Sequence, residues 1–180
     1  MSSRRTAAAW IATVAICATG CAAQLPASPT TGEINCHGKD FAAPFDQVDP
    51  CDAEQVLTAA LGAIFGYQPG EQADPTEALA SARALLEDRF AARAASSALV
   101  WAPVTTAVWQ QWRTDRVQVA TTARVLADDH PPDTATQVAR VVTIDIDAPV
   151  SDPTAFAVYA TATRDSVETQ WLLSELQVTQ

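Results

Sequence analysis

The spacing of apolar residues changes at Arg116, and this change limits the possible folds more than any other feature of the chain. Between Asp49 and Arg116, apolar residues recur every three or four positions, which is typical of amphipathic helices. Beyond Arg116 they alternate with polar residues, which is typical of strands that bury one face. A chain with its helices first and its strands afterwards is predicted to belong to the α+β class.

The first helix is predicted to begin at Asp49 and Pro50, because aspartate caps free N–H groups and proline fits the first turn. Gly66 is its expected end. The second helix is expected to begin at the capping-box pattern of residues 74–77 and to continue to about Arg93. The residues expected to face the core from these two helices are Val56, Leu57, Ala60, Leu61, Ile64, Phe65, Ala78, Leu79, Ala82, Leu85, Leu86 and Phe90.

The segment between the second helix and Arg116 is predicted in two parts. Residues 98–101 are expected to be extended, up to a break at Pro103. A shorter third helix is predicted over residues 105–115, with Val108, Trp109 and Trp112 on its apolar face.

Strands are predicted over residues 117–125, 138–146, 156–163 and 171–178. The connections between them are too short for parallel crossovers, so each strand is expected to pair antiparallel with the next. Residues 49–180 are therefore predicted to form one domain, with N-terminal helices packed on a four-stranded antiparallel sheet.

The first 20 residues have the layout of a secretory signal peptide. Arg4 and Arg5 lead into an uncharged, mostly apolar run that is too short to span a bilayer comfortably. Residues 18–21, Ala-Thr-Gly-Cys, resemble the lipobox of bacterial lipoproteins. This resemblance implies cleavage before Cys21, a diacylglycerol on its sulfur, and a location on the extracytoplasmic face of the cell membrane. An ordinary signal peptide that is cleaved after Ala23 is the alternative.

Residues 21–48 are interpreted as a lipid-anchored tether and an irregular segment, because Ala, Pro, Ser and Thr dominate their first part. Loss of the signal peptide leaves 9 of the 11 basic residues against 21 acidic ones, so the net charge changes from −10 to −12. An acidic surface argues against nucleic acid and anionic lipid headgroups as partners. The preference for arginine over lysine and the abundance of alanine favour an actinobacterial source.

Cys36 and Cys51 are the cysteines that remain beyond the lipid site. An even pair in an oxidising compartment predicts a disulfide. A metal site of both thiolates with His37 is the alternative, although a fourth ligand is missing at usable spacing. His130, preceded by two aspartates, is a second candidate metal ligand, but a solvated turn explains the same residues. No metal or cofactor is therefore expected.

The order of the elements and the closing residues 170–178, Gln-Trp-Leu-Leu-Ser-Glu-Leu-Gln-Val, are similar to the nuclear transport factor two-like, or cystatin-like, superfold. The resemblance extends over roughly residues 49–180. It implies a cone in which N-terminal helices occupy the hollow of a curved antiparallel sheet. Anchored relatives include accessory proteins of mammalian-cell-entry lipid transporters and the periplasmic core subunit of type IV secretion systems. Those relatives usually keep an uncleaved transmembrane helix, and a lipobox departs from that pattern.

Arg140 has the same parity as the inward-facing apolar residues of its strand, and a buried arginine needs a partner. Asp145 and Tyr159, on neighbouring strands, are the expected acid and hydroxyl. In a steroid isomerase of the resembled superfold, an aspartate base works with a tyrosine donor, so these two residues are also a candidate catalytic pair. Alternatively, Arg140 lies near a strand end and covers apolar surface with its aliphatic stem.

Trp101, Trp109 and Trp112 form either a ligand cage or docking patch, or a buried face that closes the open end of the cone. The sequence has no Ser-His-Asp pattern and no glycine-rich phosphate loop. The predicted function is a non-enzymatic accessory or scaffold lipoprotein of an envelope transport or secretion assembly, with an envelope protein as its partner. The alternatives are a binder of a small apolar ligand and an enzyme that uses Asp145 and Tyr159.

Overall fold

The computed structural model describes residues 36–127, 130–149 and 151–179, so the predicted signal peptide, Cys21 and most of the tether lie outside it. In the described part, four α-helices precede a four-stranded antiparallel sheet, which confirms the predicted α+β class. The elements are α1 Ala53–Ile64, α2 Glu77–Ser81, a 3-10 turn Arg83–Leu85, α3 Asp88–Trp101, α4 Thr106–Asp115, β1 Ala120–Val125, β2 Gln137–Asp147, β3 Thr154–Thr163 and β4 Leu172–Val178.

The strands pair in chain order, β1-β2-β3-β4, and each is antiparallel to the next, as predicted. Ile144 in β2 lies opposite Ala123 of β1 and opposite Phe156 of β3. The register between β3 and β4 shifts next to Thr161, so that Ser174 is an extra residue of β4. The Ser174 hydroxyl donates to the Thr161 carbonyl at 3.1 Å.

Helix α1 begins at Ala53 because Asp52 caps it. The Asp52 carboxylate accepts hydrogen bonds from two N–H groups of the first turn, at 2.9 and 3.0 Å. The prediction of Asp49 as the cap is wrong. The Asp49 carboxylate instead accepts from the N–H of Cys51 at 2.8 Å and stabilises the turn that precedes the helix.

The single helix predicted over residues 74–93 is also wrong, because the chain forms α2, the 3-10 turn and α3 over these residues. Leu86, between the turn and α3, is extended and forms a parallel bridge with Leu173 of β4. The N–H of Glu87 donates to the Leu173 carbonyl at 2.9 Å, and the Glu87 carboxylate caps α3 by accepting from the N–H of Phe90 at 2.8 Å. Pairing with the edge of the sheet therefore outweighs local helix preference.

Helix α3 continues to Trp101, so the extended segment predicted at residues 98–101 is wrong. Ala98 is buried one helical turn after the buried Ala94, which keeps the segment on the helical face that packs inward. The predicted third helix is present as α4, with Thr105 as its cap. No helix in the described ranges is long and apolar enough to cross a membrane.

The core lies between the helices and one side of the sheet, which we call the inner face. Helix α1 packs on all four strands. On the inner face, Val142, Ile144, Val158 and Leu173 have no exposed surface. All twelve residues predicted to face the core from the first two helices are buried, so the helical periodicity identified the packing face even where it misjudged the helix ends.

A disulfide joins Cys36 to Cys51, as predicted, with the two Cα atoms 5.8 Å apart. The segment between them lies against the connection from β3 to β4. The N–H that follows Cys36 donates to the Glu168 carbonyl at 3.0 Å, and the N–H of Trp171 donates to the Pro50 carbonyl at 2.9 Å. The disulfide therefore closes the segment that precedes α1 into a loop, and these two hydrogen bonds hold both ends of the loop against the turn that leads into β4.

Candidate functional site

Arg140 is buried on the inner face of the sheet, with 9% of its surface exposed. The alternation of β2 directs its side chain to the same side as Val142 and Ile144, as the parity of the sequence predicts. The predicted partners, Asp145 and Tyr159, are wrong, because both occupy the opposite parity and lie on the other side of the sheet.

Two carboxylates from other parts of the chain neutralise Arg140. Its Nε donates to Glu54 of α1 at 2.6 Å. Its Nη1 and Nη2 donate to the two carboxylate oxygens of Asp133, in the β1–β2 connection, at 2.6 and 2.7 Å. Nη1 also donates to the Ala139 carbonyl at 2.8 Å. A guanidinium that is buried in this way is paired and hydrogen-bonded, which offsets its desolvation.

The hydrogen bonds determine the charge states of this group, which we call the Arg140 cluster (Glu54, Asp133 and Arg140). The guanidinium that donates to Asp133 holds the pKa of that carboxyl below its ordinary value. The same hydrogen bond raises the pKa of Arg140, although burial acts in the opposite direction. The cluster is therefore an ionic network of one buried arginine and two half-exposed carboxylates, and it connects α1, β2 and the β1–β2 connection.

His130 lies beside the Arg140 cluster, with its Nδ1 3.2 Å from Arg140 Nη1 and 2.9 Å from the Pro131 carbonyl. The tautomer of the ring decides which contact is a hydrogen bond, because guanidinium only donates and carbonyl only accepts. Asp128 and Asp129, which belong to the suggested metal site, lie outside the described residues. Across the described ranges, no group of three or more His, Cys, Asp and Glu side chains is placed to hold a metal ion.

The opposite side of the sheet, which we call the outer face, carries Asp145 and Tyr159. Asp145 is paired with Arg124 at 2.6 Å, and Tyr159 is 53% exposed. The two residues are four positions apart along the ladder, since Asp145 lies opposite Ala155 and Tyr159 opposite Val141. That offset corresponds to roughly 13 Å at 3.3 Å per residue, too far for an acid and a hydroxyl to act together.

The outer face as a whole is polar and built from small side chains. The paired positions of the four strands that share it are Ala120, Thr122, Arg124, Gln137, Ala139, Val141, Thr143, Asp145, Asp147, Ala155, Ala157, Tyr159, Thr161, Thr163, Leu172, Glu175 and Gln177. Its large exposed side chain is Tyr159, whose neighbour across β2, Val141, is buried. Tyr159 is therefore the large apolar ring that this face presents to solvent.

The three tryptophans do not form one cage. Trp109 and Trp112 are 1% and 3% exposed and belong to the core, whereas Val108 on the same helix is 36% exposed. The Trp109 Nε1 donates to the Ala73 carbonyl at 3.0 Å. Trp101 is half-buried and stacks on Phe90, with ring centroids 6.1 Å apart. The α4 tryptophans therefore close the core and leave no aromatic surface for a ligand.

A groove beside α4 is a feature that the sequence did not reveal. Its volume is about 840 Å³, within the range of small-molecule sites. One wall is the loop that follows α1, and the other is the end of α4 with the residues that lead into β1. It is lined by Tyr67, Gln68, Gly70, Glu71, Gln110, Arg113, Thr114, Arg116, Val117, Gln118 and Val119.

The end of α4 gives the groove its shape. Arg116 is left-handed, with φ 52° and ψ 45°, and its N–H donates to the Arg113 carbonyl at 3.3 Å. The N–H of Val117 donates back to the Trp112 carbonyl at 2.9 Å. This pair of bonds is the Schellman motif, in which the left-handed position is usually glycine. Arginine is uncommon in this conformation, so the residue type did not indicate a Schellman motif here.

Comparison of the chain with protein-family models, curated proteins and solved structures found no match.

Proposed function

We propose that this chain is a lipid-anchored protein on the extracytoplasmic face of the cell membrane. In this proposal Cys21 carries a diacylglycerol, and the domain serves as a non-enzymatic accessory or scaffold subunit of an envelope transport or secretion assembly. The signal-like sequence that ends at residues 18–21 supports export and lipid attachment. Two acyl chains provide stable anchoring where one is marginal.

The Cys36–Cys51 disulfide is the observation that carries the proposal. Disulfides persist in oxidising compartments and are rare where thiols are kept reduced. The two bridged cysteines are fifteen residues apart and close the segment before α1 into a loop, which backbone hydrogen bonds hold against the β3–β4 connection. A fixed attachment at this point would let the proposed tether end at a stable domain.

The filled inner face favours a scaffold over the alternative, a binder of a small apolar ligand. Large side chains from α1 and the sheet meet there without exposed surface, among them Leu57, Leu61 and Ile144. Interiors packed in this way leave no room for an apolar ligand without rearrangement. We also propose that the sheet curves as a cone and that the domain is related to the nuclear transport factor two-like superfold. The order of helices and strands and the packed inner face support this relationship.

The outer face is the proposed contact surface for an envelope protein. It is opposite the side on which α1 packs, and it carries the exposed Tyr159 and, farther along the sheet, the Arg124–Asp145 ion pair. Exposed tyrosine is enriched among the residues that dominate binding energy at protein interfaces. The ion pair on the same face would supply orientation more than affinity.

Metabolic labelling with an alkyne palmitate analogue tests the anchor. Wild-type protein is expected to incorporate the label, and Cys21→Ala to incorporate none. Cys17→Ala is the matched control, because this cysteine lies within the signal peptide and its loss leaves the lipobox intact. Equal labelling of wild type and Cys21→Ala, or no labelling of wild type, contradicts the anchor.

Site-specific photocrosslinking in intact cells tests the contact surface. A photoreactive residue at Tyr159 is expected to give a discrete crosslinked protein. The control position is Val100, which is 70% exposed on α3 and lies away from the sheet. The same crosslink from both positions, or none from position 159, contradicts the proposed role of the outer face.

A further inference from the structure

We propose that the groove beside α4 binds a small, anionic, hydroxyl-rich molecule, a sugar acid or a sugar phosphate, through Arg113 and Arg116. This binding site goes beyond the scaffold function and does not depend on it.

The groove carries positive charge on an acidic protein. The chain is strongly acidic, with a net charge of −10, yet two arginines line this groove and Glu71 is the acid in its lining. Within the described residues, neither Arg113 nor Arg116 forms an ion pair. Arg113 Nη1 donates to the Ala73 carbonyl at 3.4 Å, which leaves its positive charge uncompensated. Two guanidinium groups without a carboxylate partner at one concave surface attract a carboxylate or phosphate and can bind it through their N–H donors.

The rest of the groove lining is mostly polar. Three glutamines and a threonine supply amide and hydroxyl groups to the groove: Gln68, Gln110, Gln118 and Thr114. Such groups match the hydroxyls of a sugar better than a hydrocarbon surface. The anionic group of the ligand would lie at the arginines, and its hydroxylated body would lie along the amides.

Tyr67 provides a fixed donor in the same lining. Its ring is held edge-on against Trp109, with the centroids 5.7 Å apart, and only 3% of the residue is exposed. Burial raises the pKa of Tyr67, so its hydroxyl stays protonated. Tyr67 lines the groove, so its hydroxyl is placed to donate to a ligand oxygen there.

The backbone of Arg116 has a left-handed conformation. An L-residue other than asparagine or aspartate rarely adopts its left-handed conformation, which glycine adopts without steric cost. Strained residues of this kind cluster at ligand sites, where the side chain has a role that glycine cannot perform. The Schellman turn places the Arg116 side chain in the lining of the groove.

Isothermal titration calorimetry on the full chain in detergent, with three probes that share one ring, tests the proposal. The probes are glucuronate, glucose 6-phosphate and uncharged glucose. At least one charged probe is expected to bind saturably and more weakly as salt is added, and glucose is expected not to bind. The two charged probes distinguish a carboxylate ligand from a phosphate ligand.

Variants locate the site. Arg113→Gln and Arg116→Gly are each expected to weaken binding of the charged probe about tenfold, the effect of losing one charge-assisted contact. Arg93→Gln is the matched control, because it removes the same charge from an exposed position of α3. Thermal unfolding of each variant shows that the fold is kept.

Three results overturn the proposal: no saturable binding of either charged probe, equal binding of glucose, or equal losses in the control variant and the groove variants.

Discussion

Arg140 and Asp133 form a double ion pair in which two guanidinium nitrogens contact two carboxylate oxygens, at 2.6 and 2.7 Å. The arginine is on the inner face of β2, and the aspartate is in the connection that precedes this strand. Glu54 adds a third contact from α1, so that one buried side chain holds three parts of the fold together. Arg140 therefore connects the β1–β2 connection to the first helix where that helix packs on the sheet.

The pair predicts a specific dependence of stability on pH. The pKa of Asp133 is lower in the folded protein than its ordinary value, because Arg140 donates to it. A carboxyl with a lowered folded pKa stabilises the fold above its unfolded pKa, about 3.9, and loses that contribution as the pH falls through the folded pKa. The free energy of unfolding is therefore expected to fall below about pH 4.

Asp133→Asn is expected to lower the free energy of unfolding at pH 7 by about 1 kcal/mol and to flatten its decline in acid. The expected loss is below the range for fully buried pairs because the Asp133 side chain is 43% exposed, which lets solvent screen the pair. Urea unfolding at several pH values measures both effects. Asp165→Asn, at an exposed position in the β3–β4 turn, is the control, and an equal loss there contradicts the role of the pair.

The disulfide predicts a large loss of stability on its removal. Cys36→Ser with Cys51→Ser is expected to cost about 3 kcal/mol in the chain-entropy model for a closed loop of this length. Reductant should lower the wild-type unfolding free energy by a similar amount and leave the double variant unchanged. Denaturant unfolding with and without reductant measures this, and a wild-type protein that is indifferent to reductant contradicts the role of the bridge.

Trp109 and Trp112 predict unequal costs for the same substitution. Trp109 Nε1 donates to the Ala73 carbonyl, whereas Trp112 Nε1 is buried without a partner among the described residues. Replacement by Phe removes similar volume at both positions, but Trp109→Phe loses a hydrogen bond, whereas Trp112→Phe removes a buried donor that has no partner among the described residues. Trp109→Phe is therefore expected to be more destabilising by about 1–2 kcal/mol. Thermal unfolding of the two variants measures this difference. Equal losses of stability, or a larger loss in Trp112→Phe, contradict the hydrogen-bond assignment.

The left-handed conformation of Arg116 predicts a stabilising substitution. Arg116→Gly is expected to raise the free energy of unfolding by about 0.5–1 kcal/mol, because glycine adopts a positive φ without a steric penalty. Arg113→Gly, in the helical last turn of α4, should instead destabilise by about 1 kcal/mol. Opposite signs in chemical denaturation are the expected result, and a loss in both variants contradicts the strain at Arg116.

Periodicity was sufficient to predict the strands and the buried faces. The alternation after Arg116 identified four strands in their correct order, and the helical stripes identified residues such as Leu57 and Leu85 as core. These patterns are local consequences of burying one side of an element. They depend little on the rest of the fold.

Tertiary contacts decided what periodicity missed. The helix break at Leu86 arises from its bridge to Leu173, which is distant in sequence. The partners of Arg140 lie in α1 and in the β1–β2 connection. The sequence-based prediction considered only the neighbouring strands and therefore chose Asp145. The groove depends on the left-handed Arg116, a conformation that its residue type does not indicate. Contacts between residues far apart in the chain are invisible to spacing alone.

Intact-mass spectrometry of the full-length protein after extraction from cell membranes tests the lipid anchor most directly. The expected mass is that of a chain that begins at Cys21, carries a diacylglyceryl group, and lacks two hydrogens because Cys36 and Cys51 are joined. A mass that retains residues 1–20, or that of an unmodified chain beginning at Gln24, contradicts the anchor and with it the envelope role.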